Sequence, residues 1–149
     1  MIDQPPNTHE FAVNITWTGG KDGSIAIEDK LSLPLSSPIY WNGTPDAYSP
    51  HDLFISAVTG CYLTTFASMM KKVRQQLEAF QISGRGVLEK HPDGGWHFTH
   101  IHIIMEITVP KDAKLPQIKR ALDLTEKYCH ISRSIKCKVL LEPKITKQD

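Results

Sequence analysis

Residues 49–61 read SPHDLFISAVTGC and predict the start of a long, apolar helix. The serine can cap the first turn, the proline fits the first helical position, and the aspartate suits the positive end of the helix dipole. Apolar residues continue around the helix as far as Met70, and the sequence turns polar after Lys71. We therefore expect a largely buried helix that ends near Leu77.

The residues before this helix have the pattern of short strands. Apolar and polar side chains alternate over residues 11–18, a turn follows at residues 19–23, and the alternation resumes over residues 24–28. This period of two predicts a half-buried β-hairpin. A third short strand is expected around residues 30–33. Residues 34–48 are rich in proline, glycine, asparagine and serine, which predicts a loop.

The residues after the helix predict two strands, a second helix and a last strand. The two strands are expected at residues 80–89 and 96–109, and the helix at residues 116–128. Alternate residues from Thr99 to Ile107 share one face of the second strand, and one side of the helix carries Ile118, Leu122, Thr125 and Cys129. Alternation over residues 137–141 predicts the last strand. The order is therefore βββ–α–ββ–α–β, with antiparallel sheets, and it favours an α+β fold over a doubly wound α/β fold.

The size and charge of the chain favour a single soluble domain. Its 149 residues can bury a core without staples, and its formal net charge of +1 argues against a generic nucleic-acid binder. We expect one domain over residues 1–149, in which the polar segment 1–10 is flexible. No apolar run reaches the roughly 18 residues that a membrane span needs, and no secretory signal is recognisable. We therefore expect a cytoplasmic protein with no nucleic-acid or membrane partner.

Three cysteines, Cys61, Cys129 and Cys137, are the residues best suited to carry chemistry. An odd number does not make a secreted disulfide framework, and no CxxC or CxxxC spacing supports a metal site. Cys61 is predicted in the middle of the first helix and Cys129 at the end of the second. Position alone leaves two interpretations open for both, namely packing as a small hydrophobe and reactivity as a thiolate.

A reactive cysteine needs a lowered pKa, which a nearby cation can supply. The candidate cations are Lys21 in the glycine-rich turn, His51 at the helix start, and His130. His51 precedes Cys61 by ten positions in one helix, which corresponds to about 15 Å at a rise of about 1.5 Å per residue. His51 can therefore act on Cys61 only through Lys21, a water molecule or a dimer interface. A second thiol within reach would convert a sulfenic acid into a disulfide.

Three motifs together resemble the OsmC/Ohr family, which comprises osmotically inducible protein C and organic hydroperoxide resistance proteins. They are TGGKDG at residues 18–23, SPHDLF at residues 49–54 leading to TGC at residues 59–61, and YCHIS at residues 128–132. Each motif alone is weak, but their joint order and spacing are specific. The resemblance covers about residues 11–145.

The resemblance implies an OsmC-like fold in an intertwined homodimer, with long central helices and the sheets outside. It implies an antioxidant enzyme of the oxidative stress response that reduces organic hydroperoxides. Cys61 then matches the peroxidatic position and Cys129 the resolving position, whereas Cys137 is expected to pack in a strand. No metal or cofactor is implied, and an external dithiol is the expected reductant.

Two positions depart from the family pattern. Members of the Ohr type have an arginine and a glutamate where this chain has Lys21 and His51. Lysine is a flexible point charge that cannot reproduce the planar fork of arginine, although it can still attract a thiolate. Phe54, Tyr62 and Phe66 are candidates for an apolar substrate pocket, with core packing as the alternative for each.

These departures keep two other functions open. One is a binding or redox-sensing protein on the same fold, which would hold an apolar small molecule and have little peroxidase activity. The other is a protein whose cysteines are structural, which requires the two sulfurs to lie too far apart to bridge.

Overall fold

A computed structural model describes residues 7–149, which cluster into two compact units divided after Leu53. The expectation of a single domain stays a prediction. The predicted flexible segment 1–10 lies partly outside the described residues. The elements follow the expected order, and they are β1 (Asn14–Gly19), β2 (Asp22–Ala26), β3 (Leu33–Leu35), α1 (Pro50–Lys72), β4 (Ala79–Lys90), β5 (Trp96–Val109), α2 (Leu115–Tyr128) and β6 (Lys138–Lys147), with short 3₁₀ helices at Ile39–Trp41 and Ser132–Ser134.

The first unit contains a three-stranded antiparallel sheet in the order β1-β2-β3. Gly19 and Gly20 make the β1–β2 turn at φ values of 130° and 54°, which favour glycine. The predicted hairpin is thus confirmed, but β1 is not half-buried. Ile15 and Trp17 are 56% and 74% exposed in the single chain, because β1 is an edge strand of a small sheet.

The second unit contains a sheet in the order β4-β5-β6. β4 and β5 are antiparallel, as expected, whereas β6 runs parallel to β5. The expectation of purely antiparallel sheets was therefore wrong for β6. The physical reason is that α2 forms the crossover between β5 and β6, and this returns the chain to the same end of the sheet.

The hydrophobic core lies on one face of β5, where every second side chain from Ile101 to Val109 is at most 1% exposed. One stripe of each helix packs into the same cluster. The members are Val58, Tyr62, Phe66 and Met70 on α1, and Ile118, Ala121, Leu122 and Thr125 on α2. The strand alternation and the α2 stripe agree with the sequence-based expectation.

Two glycines of β4 allow α1 to approach the sheet closely. A Cβ atom at Gly84 would collide with the Thr59 hydroxyl, and one at Gly86 would collide with the end of the Ile55 side chain. Ile55 and Thr59 are one turn apart on α1, so both collisions concern the same helix face. This packing fixes the part of α1 that leads into Cys61.

The helix α1 differs from its prediction in length and burial. It ends at Lys72 and not near Leu77, because Arg74 adopts the left-handed conformation at φ 58°. Backbone bonds from Arg74 N–H to the Lys71 carbonyl and from Gln75 N–H to the Met70 carbonyl close the end in a Schellman arrangement. Residues 73–77 read VRQQL and consist mostly of good helix formers, and no glycine marks the stop.

Only four of the 23 residues of α1 are buried in the single chain, contrary to the expectation of a largely buried helix. Only 22% of its most apolar 18-residue window is buried. By length and composition alone, this helix also meets the minimum for a membrane span, a criterion that core helices of soluble proteins meet as well. The expectation that no apolar run is long enough for a span was wrong for α1, because the serine, threonine and glycine residues within this helix lower its mean hydropathy only slightly. The exposed face consists mainly of small residues, namely Ser56, Ala57, Gly60, Thr64, Ala67 and Ser68.

Candidate thiol site

Cys61 lies in the middle of α1, and its side chain is partly buried beside the core. The helix places Thr65 one turn further along the same face, and the Thr65 hydroxyl is 3.8 Å from the Cys61 sulfur. A hydroxyl at this distance is a weak hydrogen-bond partner for sulfur. Thr65 is thus a local polar group that the sequence analysis missed, although its i+4 spacing could have revealed it.

Cys129 occupies the C-terminal cap of α2 and is fully buried. Its N–H donates to the Thr125 carbonyl at 2.9 Å, while its own carbonyl accepts bonds at 3.2 Å from the Ser132 hydroxyl and from Arg133 N–H. These bonds hold residues 129–133 in a tight turn. The turn directs the backbone N–H groups of His130 and Ile131 toward the Cys61 sulfur.

The pKa of Cys61 is lowered from its ordinary value, which favours the thiolate. Partial burial opposes this shift, but several hydrogen bonds to the sulfur outweigh it. The donors are the backbone N–H of Ile131, the Cys129 thiol, the Thr65 hydroxyl and the backbone N–H of His130. The two cysteines predicted on separate helices are therefore close enough for each to influence the pKa of the other.

The pKa of Cys129 moves in the opposite direction. Burial raises it most, and the hydrogen bond to Cys61 and the negative charge there raise it further, against lowering contributions from the hydroxyl and N–H of Ser132. A pair with one acidified and one neutral thiol follows. This asymmetry makes Cys61 the more readily ionised thiol of the two.

The three aromatic candidates for a substrate pocket have different surroundings. Phe66 is fully buried and meets Phe80 edge-on at 5.2 Å between ring centroids, so it belongs to the core. Phe54 stacks on Phe98 at 5.1 Å. Tyr62 is 3% exposed, and burial raises the pKa of its hydroxyl, which is hydrogen-bonded to Ser132. Their assignment to a substrate pocket stays a prediction.

The candidate cations Lys21 and His51 belong to the first unit and share a neighbour there. The Lys21 ammonium donates a 2.7 Å hydrogen bond to the Trp41 carbonyl. The imidazole of His51 lies 5.7 Å from the Trp41 ring, measured between centroids. The groups that acidify Cys61 are instead backbone N–H groups and neighbouring side chains of the second unit. The sequence indicated the YCHIS motif, but the role of its backbone becomes visible only in the folded turn.

Cys137 precedes β6 by one residue and packs, partly buried, against the hydrophobic core. Its position agrees with the expected packing role, although it lies just outside the strand. All three cysteines are free thiols in this structure.

Comparison with known proteins identifies similar chains of known fold. The YmaD protein of Bacillus subtilis, described as uncharacterized, is 25% identical over 138 residues, which covers 90% of this chain and 91% of YmaD. An OsmC-like protein of unknown function from Vibrio cholerae has a similar structure, with a TM-score of 0.83 at 18% identity over 92% of this chain and all of that chain.

Organic hydroperoxide resistance proteins also share the fold. The protein from Elizabethkingia anophelis aligns with a TM-score of 0.71 at 13% identity, covering 94% of this chain and 99% of that one. OhrB of Bacillus subtilis aligns with a TM-score of 0.65 at 19% identity, covering 91% and 98%. The sequence model of the OsmC-like protein family matches residues 43–144, which is more than half of the chain and includes both Cys61 and Cys129. The chain therefore belongs to the OsmC-like family.

Proposed function

We propose that this protein is a thiol-dependent peroxidase that reduces organic hydroperoxides through Cys61 and Cys129. The observation that carries the proposal is that an acidified Cys61 and a buried Cys129 with a raised pKa lie close enough to influence each other's pKa. A peroxidatic cysteine must be a thiolate, and a resolving cysteine must be close enough to condense with its oxidised form.

In the first step, the Cys61 thiolate attacks the terminal oxygen of the hydroperoxide ROOH. The sulfur–oxygen bond forms while the O–O bond breaks, so sulfur is oxidised and the alkoxide leaves as the alcohol ROH after taking up a proton. The product on Cys61 is a sulfenate. The N–H groups of Ile131 and His130 that stabilise the thiolate also suit this anion, because they donate to negative charge at the same place.

In the second step, the Cys61 sulfenate takes up a proton from solvent to become the sulfenic acid, and the Cys129 sulfur attacks it. The S–S bond forms as the S–O bond breaks, and the proton of the Cys129 thiol leaves with the hydroxyl group as water. An external dithiol then reduces the disulfide, which returns both thiols and leaves the dithiol oxidised.

The fold shared with organic hydroperoxide resistance proteins supports this proposal. The proposed substrate is an organic hydroperoxide with an apolar substituent, because Phe54 and Tyr62 lie on the same helix as Cys61. Lys21 and His51 are proposed to support the reaction only indirectly. A reducing cytoplasm suits a cycle that depends on free thiols.

We also propose that the active form is a homodimer. The small-residue face of α1 and the exposed apolar side chains of β1 are both uncovered in the single chain. Small residues let two helices approach closely, and a second copy of this chain would cover the exposed surface symmetrically.

The experiment follows the oxidation of fully reduced protein by cumene hydroperoxide in a stopped-flow instrument. We expect rapid loss of two thiols per chain, with turnover when a dithiol is supplied. Cys61→Ser is expected to abolish the reaction, and Cys137→Ser is the matched control that should retain it. Oxidation of the wild-type protein at the rate of free cysteine would refute the peroxidase.

A second candidate function is a redox sensor on the same fold, with the same disulfide but slow turnover. The Lys21–Trp41 hydrogen bond favours this candidate, because it engages the ammonium group that would otherwise be available to substrate. Burst kinetics with one rapid oxidation and slow regeneration by several dithiols would favour the sensor. Sustained multiple turnover would favour the enzyme.

A further inference from the structure

A second potential site lies where the end of α1 meets the beginning of α2, both within the second unit. A cavity of about 320 Å³ is present there. This volume is at the lower end of the roughly 300–1,000 Å³ typical of small-molecule pockets. The lining residues are Lys72, Val73, Arg74, Gln75, Lys114, Gln117 and Arg120.

The cavity is strongly cationic although the whole chain is nearly neutral. Four of the seven lining residues are lysine or arginine, and none of these described residues is acidic. The ion pairs found within residues 7–149 all involve other side chains. Like charges that line one cavity repel each other, and a bound anion would relieve that repulsion.

Hydrogen bonds hold the two sides of the cavity together. The backbone N–H of Lys114 donates to the side-chain oxygen of Gln75 at 2.9 Å, although these residues are 39 positions apart. The amide nitrogen of Gln75 donates in turn to the Arg74 carbonyl at 3.1 Å. The backbone segments that carry the cationic side chains are thus linked to each other before any ligand binds. Binding therefore loses less conformational entropy.

The backbone of Arg74 adds an independent observation. Arg74 holds the left-handed position of the Schellman arrangement, where glycine is the favoured residue. The left-handed backbone is strained for arginine but not for glycine. The Arg74 side chain therefore does not make the end of the helix more stable than glycine would. The guanidinium of Arg74 lines the cationic cavity instead.

We infer that this cavity binds a soluble, phosphate-bearing small molecule at a place separate from the thiol pair. Two guanidinium groups, Arg74 and Arg120, offer planar forks that match phosphate oxygens. Lys114 adds a point charge, whereas the Lys72 ammonium lies over the Tyr128 ring, 5.9 Å from its centroid. The beginning of α2 adds the positive end of a 14-residue helix.

Isothermal titration of the full chain with inorganic pyrophosphate at fixed ionic strength tests this inference. We expect saturable binding, weakened by about tenfold in Arg120→Gln because one charge-assisted fork is lost. Arg85→Gln, which removes an exposed arginine of β4 outside the cavity, is the matched control and should bind like the wild-type protein.

Arg74→Gly separates binding from folding. This variant should melt at a temperature at least equal to that of the wild-type protein, since glycine suits the left-handed backbone, yet it should bind pyrophosphate about tenfold more weakly. No saturable binding by the wild-type protein, or equal binding by Arg74→Gly, Arg120→Gln and Arg85→Gln, would overturn the inference. Tighter binding of citrate than of pyrophosphate would contradict the inference that the ligand carries a phosphate group. Co-sedimentation with phosphatidylglycerol vesicles that pyrophosphate does not affect would contradict the inference that the ligand is a soluble molecule.

Discussion

The substitution Ile131→Pro tests whether backbone N–H groups activate Cys61. Proline removes the N–H that donates to the Cys61 sulfur, and its ring fixes φ near about −65°. Ile131 already has a φ of −71°, so its backbone can accept the ring. The Ile131 N–H makes no other recorded backbone bond among residues 7–149. The substitution is therefore a near-specific deletion of one hydrogen bond.

The expected magnitude follows from the strength of that bond. A hydrogen bond to a charged group contributes about 1.5–3 kcal/mol, and the lower end applies because Cys61 is only partly buried. A loss of about 1.5 kcal/mol disfavours the thiolate relative to the thiol by roughly tenfold. A less acidic thiol is a better nucleophile once ionised, with a Brønsted coefficient of about 0.4–0.5. At a pH below both labelling midpoints, the net rate of alkylation should therefore fall by roughly three- to fourfold.

The assay is the pH dependence of iodoacetamide labelling at Cys61, resolved by peptide mass spectrometry. The midpoint for Cys61 should move to higher pH in Ile131→Pro. Ile131→Ala is the control, because it removes the side chain and keeps the N–H. If both variants are folded by circular dichroism and share the wild-type midpoint, backbone activation of Cys61 is wrong.

Three other predictions concern packing, association and pH. Gly84→Ala should lower the free energy of unfolding by about 1–3 kcal/mol in urea titrations, because the new Cβ collides with Thr59; Ser83→Ala, at the exposed neighbouring position of β4, is the control, and equal stabilities of the two variants would contradict the described helix–sheet contact. Gly60→Leu should convert a dimer into a monomer in analytical ultracentrifugation, whereas Lys119→Leu on α2 should not, and a dimer that survives Gly60→Leu would exclude the α1 face as the interface. Because the folded pKa of Cys61 is lowered, its contribution to stability is present above the unfolded pKa and disappears as the pH falls through the folded pKa. The destabilisation by Cys61→Ala should therefore be larger at about pH 9.5 than at about pH 6, and the reverse order would show that the folded state does not favour the thiolate.

The sequence predicted the elements well where local patterns determine them. The helix-start signals at Ser49 to Asp52 and the alternation along β5 both have short-range physical causes, and both were confirmed. The predicted end of α1 was wrong because Arg74 adopts the left-handed conformation that ends the helix, a position at which glycine is the usual sequence signal. The parallel direction of β6 depends on a crossover through α2, which no pattern within the strand itself encodes.

The thiol pair shows a similar limit of prediction from the sequence. Periodicity placed Cys61 and Cys129 on two helices, and only the family resemblance assigned them a joint role. The sequence analysis looked for side-chain cations such as Lys21, because charged residues are visible in a sequence. The groups that acidify Cys61 include two backbone N–H groups, which every non-proline residue carries and which gain a function only through the geometry of a turn.

The most direct test of the central claim is the identity of the bond formed after oxidation. Reduced protein would be treated with one equivalent of cumene hydroperoxide, blocked, digested without reductant and analysed by mass spectrometry. We predict a single disulfide between Cys61 and Cys129, with Cys137 still a free thiol. A Cys61 that remains reduced, accumulates as sulfinic acid, or pairs with Cys137 would contradict the account.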